Sequence, residues 1–80
     1  MRISIKQLRD RIDTINSLTN YKYNIRLYET TGCGVDISIN DEYQTEKNNL
    51  KRLYTNKEAM ELLNNTFGLE IREIVKEMNK

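Results

Sequence analysis

The sequence contains no histidine, tryptophan or proline, and only one cysteine among its 80 residues. Without histidine and with a single thiol, one chain lacks the usual ligand sets of zinc and haem and cannot form an internal disulfide bond. Histidine is also the commonest general base in enzymes. These absences predict a protein without a metal, without a cofactor and without catalytic activity.

Long apolar runs are absent as well. Residues 1–7 never hold two apolar side chains in succession, whereas a signal peptide needs an apolar stretch of about 7–15 residues. No run approaches the roughly 18 apolar residues that cross a bilayer. We therefore expect one domain, residues 1–80, that works in the cytoplasm and does not enter a membrane.

Two capping boxes predict where helices begin. Ser4 with Gln7, and Thr55 with Glu58, have the spacing at which both residues bond the free N–H groups of a first helical turn. An apolar stripe at spacings of three and four follows the first box and ends near Asn20: Ile5, Leu8, Ile12, Ile15 and Leu18. After the second box the pattern predicts two helices, the first ending around residues 64–68 and the second covering residues 69–78.

Residues 21–28 and 35–40 alternate between apolar and polar side chains, as half-buried strands do. The glycines of residues 30–34 suit a hairpin loop between them. Placing both apolar sets on one face predicts the cross-strand pairs Tyr23–Ile39, Ile25–Ile37 and Leu27–Val35. It also places Arg26 opposite Asp36 on the other face.

Residues 40–54 allow two interpretations. Leu50–Tyr54 could form a third strand, but the spacing of Leu50, Leu53 and Tyr54 fits a helix begun by Asn40 equally well. We favour the strand because adjacent asparagines at 48 and 49 weaken a helix. The predicted fold class is α+β: a small antiparallel sheet of two or three strands with one N-terminal and two C-terminal helices, in the order α-β-β-(β)-α-α.

Two local features resemble reactive or metal sites and are better explained by structure. Cys33 lies between two glycines, but Glu29 and Asp36 nearby in sequence would disfavour its thiolate, so we interpret it as a small loop residue. Residues 36–40 place oxygen ligands at alternate positions, like the start of a calcium-binding EF-hand loop. That match fails because Asp41 replaces the turn glycine and Lys47 replaces the last glutamate.

Charge is divided along the chain. Residues 1–26 hold six bases and two acids, a net charge of +4, whereas residues 27–50 hold one base and five acids, a net charge of −4. The acidic segment could bind a basic groove of another protein, with Tyr43 as an aromatic anchor, or it could simply keep a sheet edge soluble. The candidate protein-binding residues are Glu29, Asp36, Asp41, Glu42, Tyr43 and Glu46.

The basic segment offers an alternative function. Its bases and interleaved tyrosines could contact the phosphates and bases of a nucleic acid. Ion pairs four residues apart on the first helix, Lys6–Asp10 and Arg9–Asp13, would explain the same charges without a ligand. The candidate nucleic-acid-binding residues are Arg2, Lys6, Arg9, Lys22 and Arg26.

The two capping boxes at Ser4 and Thr55 and the hairpin of residues 21–39 give a layout that resembles small phage-encoded anti-CRISPR proteins and other phage accessory proteins. The resemblance implies an accessory or inhibitor protein that binds a host protein, for example a defence complex that handles nucleic acid. Inhibitors that imitate DNA are usually acidic, so mimicry would be confined to residues 29–46. We also expect that exposed apolar side chains on the last two helices could form a homodimer contact.

Overall fold

The two long helices lie on one side of a small sheet in the structure, a computed structural model that describes residues 2–80. In chain order the elements are helix α1 (Ile5–Leu18), strands β1 (Ile25–Thr30), β2 (Gly34–Ile39) and β3 (Glu42–Tyr43), and helices α2 (Gln44–Lys47) and α3 (Asn56–Met78). The strands form one antiparallel sheet in the order β1-β2-β3. The predicted α+β class is confirmed.

The hydrophobic core lies between the sheet and helices α1 and α3. Alternate residues of β1 and β2 point into it, because successive side chains of a strand face opposite ways. The face of the sheet that turns away from α1 and α3 is called the outer face below. The buried core side chains are Leu8, Ile12, Ile15, Ile25, Val35, Ile37, Tyr54, Ala59, Leu63, Phe67 and Ile71.

Both predicted capping boxes form. The Gln7 amide donates to the Ser4 hydroxyl at 3.1 Å, and the Ser4 amide donates to the Gln7 side chain at 2.7 Å. The Thr55 and Glu58 pair makes the same two bonds at 3.1 and 2.9 Å. Each box satisfies amides that have no partner within the helix, so local sequence alone determines where α1 and α3 begin.

The two predicted C-terminal helices are one continuous helix, α3, and the predicted break around residues 64–68 is wrong. Leu63, Phe67 and Ile71 follow one another at spacings of four and are all buried in the core. A glycine within a helix, such as Gly68, costs about 1 kcal/mol relative to alanine. Burial of the three apolar side chains outweighs this cost. The N-terminal half of α3 runs parallel to α1, since Asn56 donates to the Ile3 carbonyl and Arg11 donates to Asn64.

The predicted hairpin forms, but its register differs by two residues. Leu27 lies opposite Ile37, and Ile25 lies opposite Ile39. The predicted ion pair is therefore wrong, because Arg26 lies opposite Ser38. In the observed register the apex of the hairpin is Gly32, whose φ of +77 suits a glycine. The predicted register would place the β-branched Thr31 at the apex. A shift of two keeps every side chain on its face, so the apolar face was predicted correctly.

Strand β1 begins at Ile25, and the predicted extended segment at residues 21–24 is not a strand. Asn20 and Tyr21 both adopt φ +57, and the Tyr21 amide donates to the Asn16 carbonyl. This turn leaves the Tyr21 side chain 73% exposed, although the alternation places it in the core. Tyr23 is half-buried and packs edge-on against Phe67, with ring centroids 5.0 Å apart.

Residues 40–54 form neither the predicted third strand at Leu50–Tyr54 nor a helix begun at Asn40. Asn40 and Asp41, with φ values of +53 and +67, make a two-residue turn into β3, and α2 follows directly. Tyr54 makes one isolated bridge to Val35, with two N–H···O bonds of 2.9 Å. Gly34 permits this approach, since a Cβ there would lie 2.5 Å from the Tyr54 carbonyl oxygen.

Candidate functional site

Asp36, predicted as a protein-binding acid, has an internal structural role instead. It lies on the outer face of β2, where α2 covers it, and it is only 9% exposed. Its carboxylate accepts hydrogen bonds from the Thr45 hydroxyl at 2.7 Å, the Thr45 amide at 3.3 Å and the Ile37 amide at 2.8 Å. A buried carboxylate that is satisfied in this way joins α2 to the sheet and is not available to a partner.

Further polar contacts that the sequence did not indicate hold α2 in place. The Tyr54 hydroxyl donates to the Gln44 carbonyl and accepts from the Asn48 side chain. Gln44 is itself buried, and its side chain donates to the Glu42 carbonyl. These bonds fix the backbone on both sides of Tyr43. In the sequence, only the polar side chains of Gln44 and Asn48 could have suggested them.

The remaining predicted acids do not form one surface. Glu29 lies opposite Val35, and Glu42 lies opposite Ile39, so both point to the helix side of the sheet, near opposite ends of β2. Asp41 lies in the turn before β3, and Glu46 lies on α2. Of the six predicted residues, Asp41, Tyr43 and Glu46 remain as neighbours.

Tyr28 and Tyr43 form an exposed aromatic pair on the outer face. Tyr43 lies opposite Ser38, which lies opposite Arg26, while Tyr28 occupies the next outer position of β1. The two rings are 5.4 Å apart between centroids at an angle of 52°, and the residues are 39% and 40% exposed. Arg26, Tyr28, Asp41, Tyr43 and Glu46 are called the tyrosine face below.

These groups are close enough to affect one another's ionisation. Interaction with the Tyr28 hydroxyl raises the pKa of Tyr43, and the charges of Asp36 and Glu46 act in the same direction. Tyr28 also raises the pKa of Arg26, with a further contribution from Asp41. The tyrosine face thus combines two phenol rings with one basic and two acidic side chains.

Comparisons with models of known protein families, with curated proteins and with solved structures found no match. The candidate site is therefore identified from the geometry of its residues alone.

The five bases predicted to bind nucleic acid lie on different parts of the molecule. Arg2 precedes α1, and Lys6 and Arg9 are exposed on α1, which covers the core side of the sheet, whereas Arg26 is on the outer face. The predicted ion pair of Lys6 with Asp10 forms at 2.8 Å. No ion pair joins Arg9 to Asp13 in the described part of the chain.

Lys22, the fifth base, is engaged with α3. It lies 3.4 Å from a carboxylate oxygen of Glu70 and 5.3 Å from the centre of the Tyr23 ring. The hydrogen bond that the Tyr23 hydroxyl donates to Glu70 lowers the pKa of that carboxyl, and the charge of Glu70 raises the pKa of Lys22. This cluster fastens the segment before β1 to α3.

The described residues include no group of three or more acidic, cysteine or histidine side chains placed to hold a metal ion. Cys33 is exposed in the hairpin turn, where its amide donates to the Thr30 carbonyl. None of the helices within residues 2–80 has the length and apolar character needed to cross a membrane.

The C-terminal end of α3 is another exposed apolar region. Leu69 and Met78 are 70% and 67% exposed, and Val75 is also exposed. This part of the helix extends beyond the end of α1, because Glu70 bonds Tyr23, a residue that follows α1 in the chain. The predicted homodimer contact on the last helices falls on this region of the single helix α3 and stays a prediction.

Proposed function

We propose that the protein acts by binding another protein through the tyrosine face. The observation that carries this proposal is the exposed Tyr28–Tyr43 pair. Tyrosine is enriched among the residues that dominate binding energy, because it offers a large apolar ring and a polar hydroxyl. Two such rings in contact on an otherwise polar sheet face are a suitable centre for an interface.

The tyrosine pair is held in a defined geometry before any partner arrives. Tyr28 lies within a paired strand, and Tyr43 lies between the tight turn at 40–41 and α2. The Asp36–Thr45 bonds anchor α2 to the same sheet. Binding to a preformed surface loses less conformational entropy than ordering a loop, so these contacts favour a specific interface.

The charges around the pair indicate the chemistry of the partner. Two acidic residues, Asp41 in the turn before β3 and Glu46 on α2, belong to the tyrosine face, and the charge of Asp41 acts on its one cation, Arg26. A partner surface with an apolar recess and basic groups beside it would complement this arrangement. Proteins that handle nucleic acid present such basic surfaces, which is consistent with an accessory or inhibitor role against a host defence complex.

A capture experiment with matched variants tests the proposal. The tagged protein is incubated with bacterial lysate, and the retained protein is identified and titrated against the wild type, a Tyr28→Ala/Tyr43→Ala variant and a Tyr21→Ala control. Tyr21 is exposed but lies outside the tyrosine face. We expect the double variant to weaken binding by at least about 30-fold, the equivalent of one hot-spot residue, while the control binds normally. Thermal melting checks that all three proteins fold.

Two results would contradict the proposal. One is a partner whose affinity is unchanged in the double variant. The other is steeply salt-dependent binding of DNA or RNA in a gel-shift titration that is lost in an Arg2→Ala/Lys6→Ala/Arg9→Ala variant, because that outcome favours the nucleic-acid alternative.

A further inference from the structure

The hydrogen bonds of β2 determine which backbone groups of β1 point outward, that is, in the plane of the sheet and away from β2. Both the N–H and the C=O of Val35 bond to Tyr54, so Val35 directs its backbone away from β1. Because these directions alternate along an antiparallel pair, the β1 residues opposite Val35, Ile37 and Ile39 also direct their backbone away from β2. Those residues are Ile25, Leu27 and Glu29. The Asn40 amide donates to the Asn24 carbonyl, which agrees with this alternation because Asn24 directly precedes Ile25.

The outer edge of β1 has no partner within residues 2–80. The sheet order is β1-β2-β3, so β1 is an edge strand, and its six residues are long enough to pair. No described backbone or side-chain group bonds to the outward groups of Ile25, Leu27 or Glu29. An unpaired strand edge of this kind is a template for another strand.

A groove runs beside this edge. Arg9, Ile12 and Asp13 of α1 form one side of it, and Leu27 forms the other. Leu27 is half-buried, and Ile12 is a core residue. A strand added to β1 would place its inward side chains over this groove and cover the apolar part of it.

We propose that the outer edge of β1 pairs antiparallel with the same edge of a second copy of this chain, about a two-fold axis at Leu27. The pairing joins two three-stranded sheets into one continuous sheet. Leu27 then lies opposite the partner's Leu27, and Ile25 lies opposite the partner's Glu29. All of these residues have outward backbone groups, so each pair exchanges two N–H···O bonds.

The side chains of β1 are complementary to their own antiparallel copy, which is why a second copy is the occupant. The strand carries one cation and one anion, Arg26 and Glu29. Under the two-fold axis only the apolar Leu27 meets its own counterpart, and no like charges lie directly opposite. On the outer face Arg26 lies against the partner's Tyr28, where a guanidinium stacks favourably on an aromatic ring.

This dimer is expected to be weak, because pairing one six-residue strand covers less than the roughly 1,200 Å² typical of stable complexes. Sedimentation of the wild-type protein from micromolar to millimolar concentration should show a reversible monomer–dimer equilibrium. Hydrogen exchange measured by NMR over the same range should show protection of the Leu27 and Glu29 amides that rises with concentration.

A pair of variants at one position isolates the backbone contribution. Glu29→Pro removes an outward N–H that the monomer does not use, and proline is tolerated at such edge positions. Glu29→Ala removes the side chain but keeps the N–H. We expect the proline variant to raise the dimer dissociation constant at least 10-fold and the alanine variant to change it less than 3-fold.

Three results would overturn the proposal: a monomer at every concentration, a dimer in which the Leu27 and Glu29 amides exchange as fast as in the monomer, or equal dissociation constants for the two variants. A dimer formed through the C-terminal end of α3 would give the second result. The exchange measurement uses the wild-type chain, so it decides the question even if the proline variant does not fold.

Discussion

Replacing Asp36 should destabilise the protein because this carboxylate connects α2 to the sheet. In an Asp36→Ala variant, the Thr45 hydroxyl and amide lose the acceptor that they contact at 2.7 and 3.3 Å. The Ile37 amide loses its bond of 2.8 Å as well. Since Asp36 is almost fully buried, water does not readily replace these bonds.

The size of the effect follows from these contacts. A hydrogen bond to a charged group contributes about 1.5–3 kcal/mol, and an abandoned buried donor costs about 1–3 kcal/mol. The bond from the Thr45 amide is long and contributes little. We therefore expect Asp36→Ala to lower the free energy of unfolding by about 2–4 kcal/mol. For a domain of this size that corresponds to a fall in Tm of roughly 10–25 °C.

Urea denaturation followed by circular dichroism measures this loss, and Asp36→Asn is the matched control. Asparagine keeps the shape and one acceptor oxygen, and the Thr45 hydroxyl can turn to accept from its amide, so its cost should be about 1 kcal/mol. An Asp36→Ala variant within about 0.5 kcal/mol of the wild type, the range of an ordinary surface substitution, would refute the structural role. If such a variant also lost the partner, the original prediction of a binding acid would be restored.

Two further predictions concern α3. The Arg52 guanidinium, which contacts Glu58 at 2.7 and 2.8 Å, and the Thr55 amide lower the pKa of the Glu58 carboxyl from 4.5 to about 2. A depressed pKa contributes stability that is complete above about pH 4.5 and is lost as the pH falls to 2. The difference in Tm between wild type and Glu58→Gln should therefore shrink as the pH falls from about 4.5 to 2. A difference that stays constant over this pH range would contradict the ion pair. Gly68→Ala should raise the free energy of unfolding by about 0.5–1 kcal/mol, because Gly68 lies inside a continuous helix with space for a Cβ. Urea denaturation measures this change, and a loss of stability would instead indicate a break in the helix at Gly68.

The parts of the fold that depend on local sequence were predicted best. The helix starts at Ser4 and Thr55 were correct because a capping box needs only four consecutive residues. The sheet face of Ile25, Leu27 and Ile37 was correct because alternation decides which side chains share a face.

The errors arose where distant contacts decide the structure. The asparagines and glycine at 64–68 predicted a helix end, but packing of Leu63 and Phe67 on the core keeps α3 intact. Likewise, Tyr54 joins the sheet through a single bridge to Val35, and the predicted strand at Leu50–Tyr54 does not form. Neither contact is visible in a short window of sequence.

The candidate site could be predicted only in part. Tyr43 was identified as an aromatic anchor, and it lies in the exposed pair. Its contact with Tyr28 was not predicted, because that contact depends on the strand register and on the pairing of β3 with β2. Asp36 was misassigned because its partner, Thr45, comes from a helix of four residues that periodicity cannot detect.

The fold also changes the meaning of the charge pattern. Along the chain the +4 and −4 segments suggest a molecule with one basic and one acidic surface. In three dimensions Lys22 lies 3.4 Å from Glu70, and the charge of Asp41 acts on Arg26, so part of the basic charge is compensated locally. Salt screens such exposed, compensated charges, and their long-range attraction is small. Recognition through the tyrosine face should therefore depend mainly on the shape and desolvation of the two rings, with the carboxylates of Asp41 and Glu46 setting the orientation of the partner.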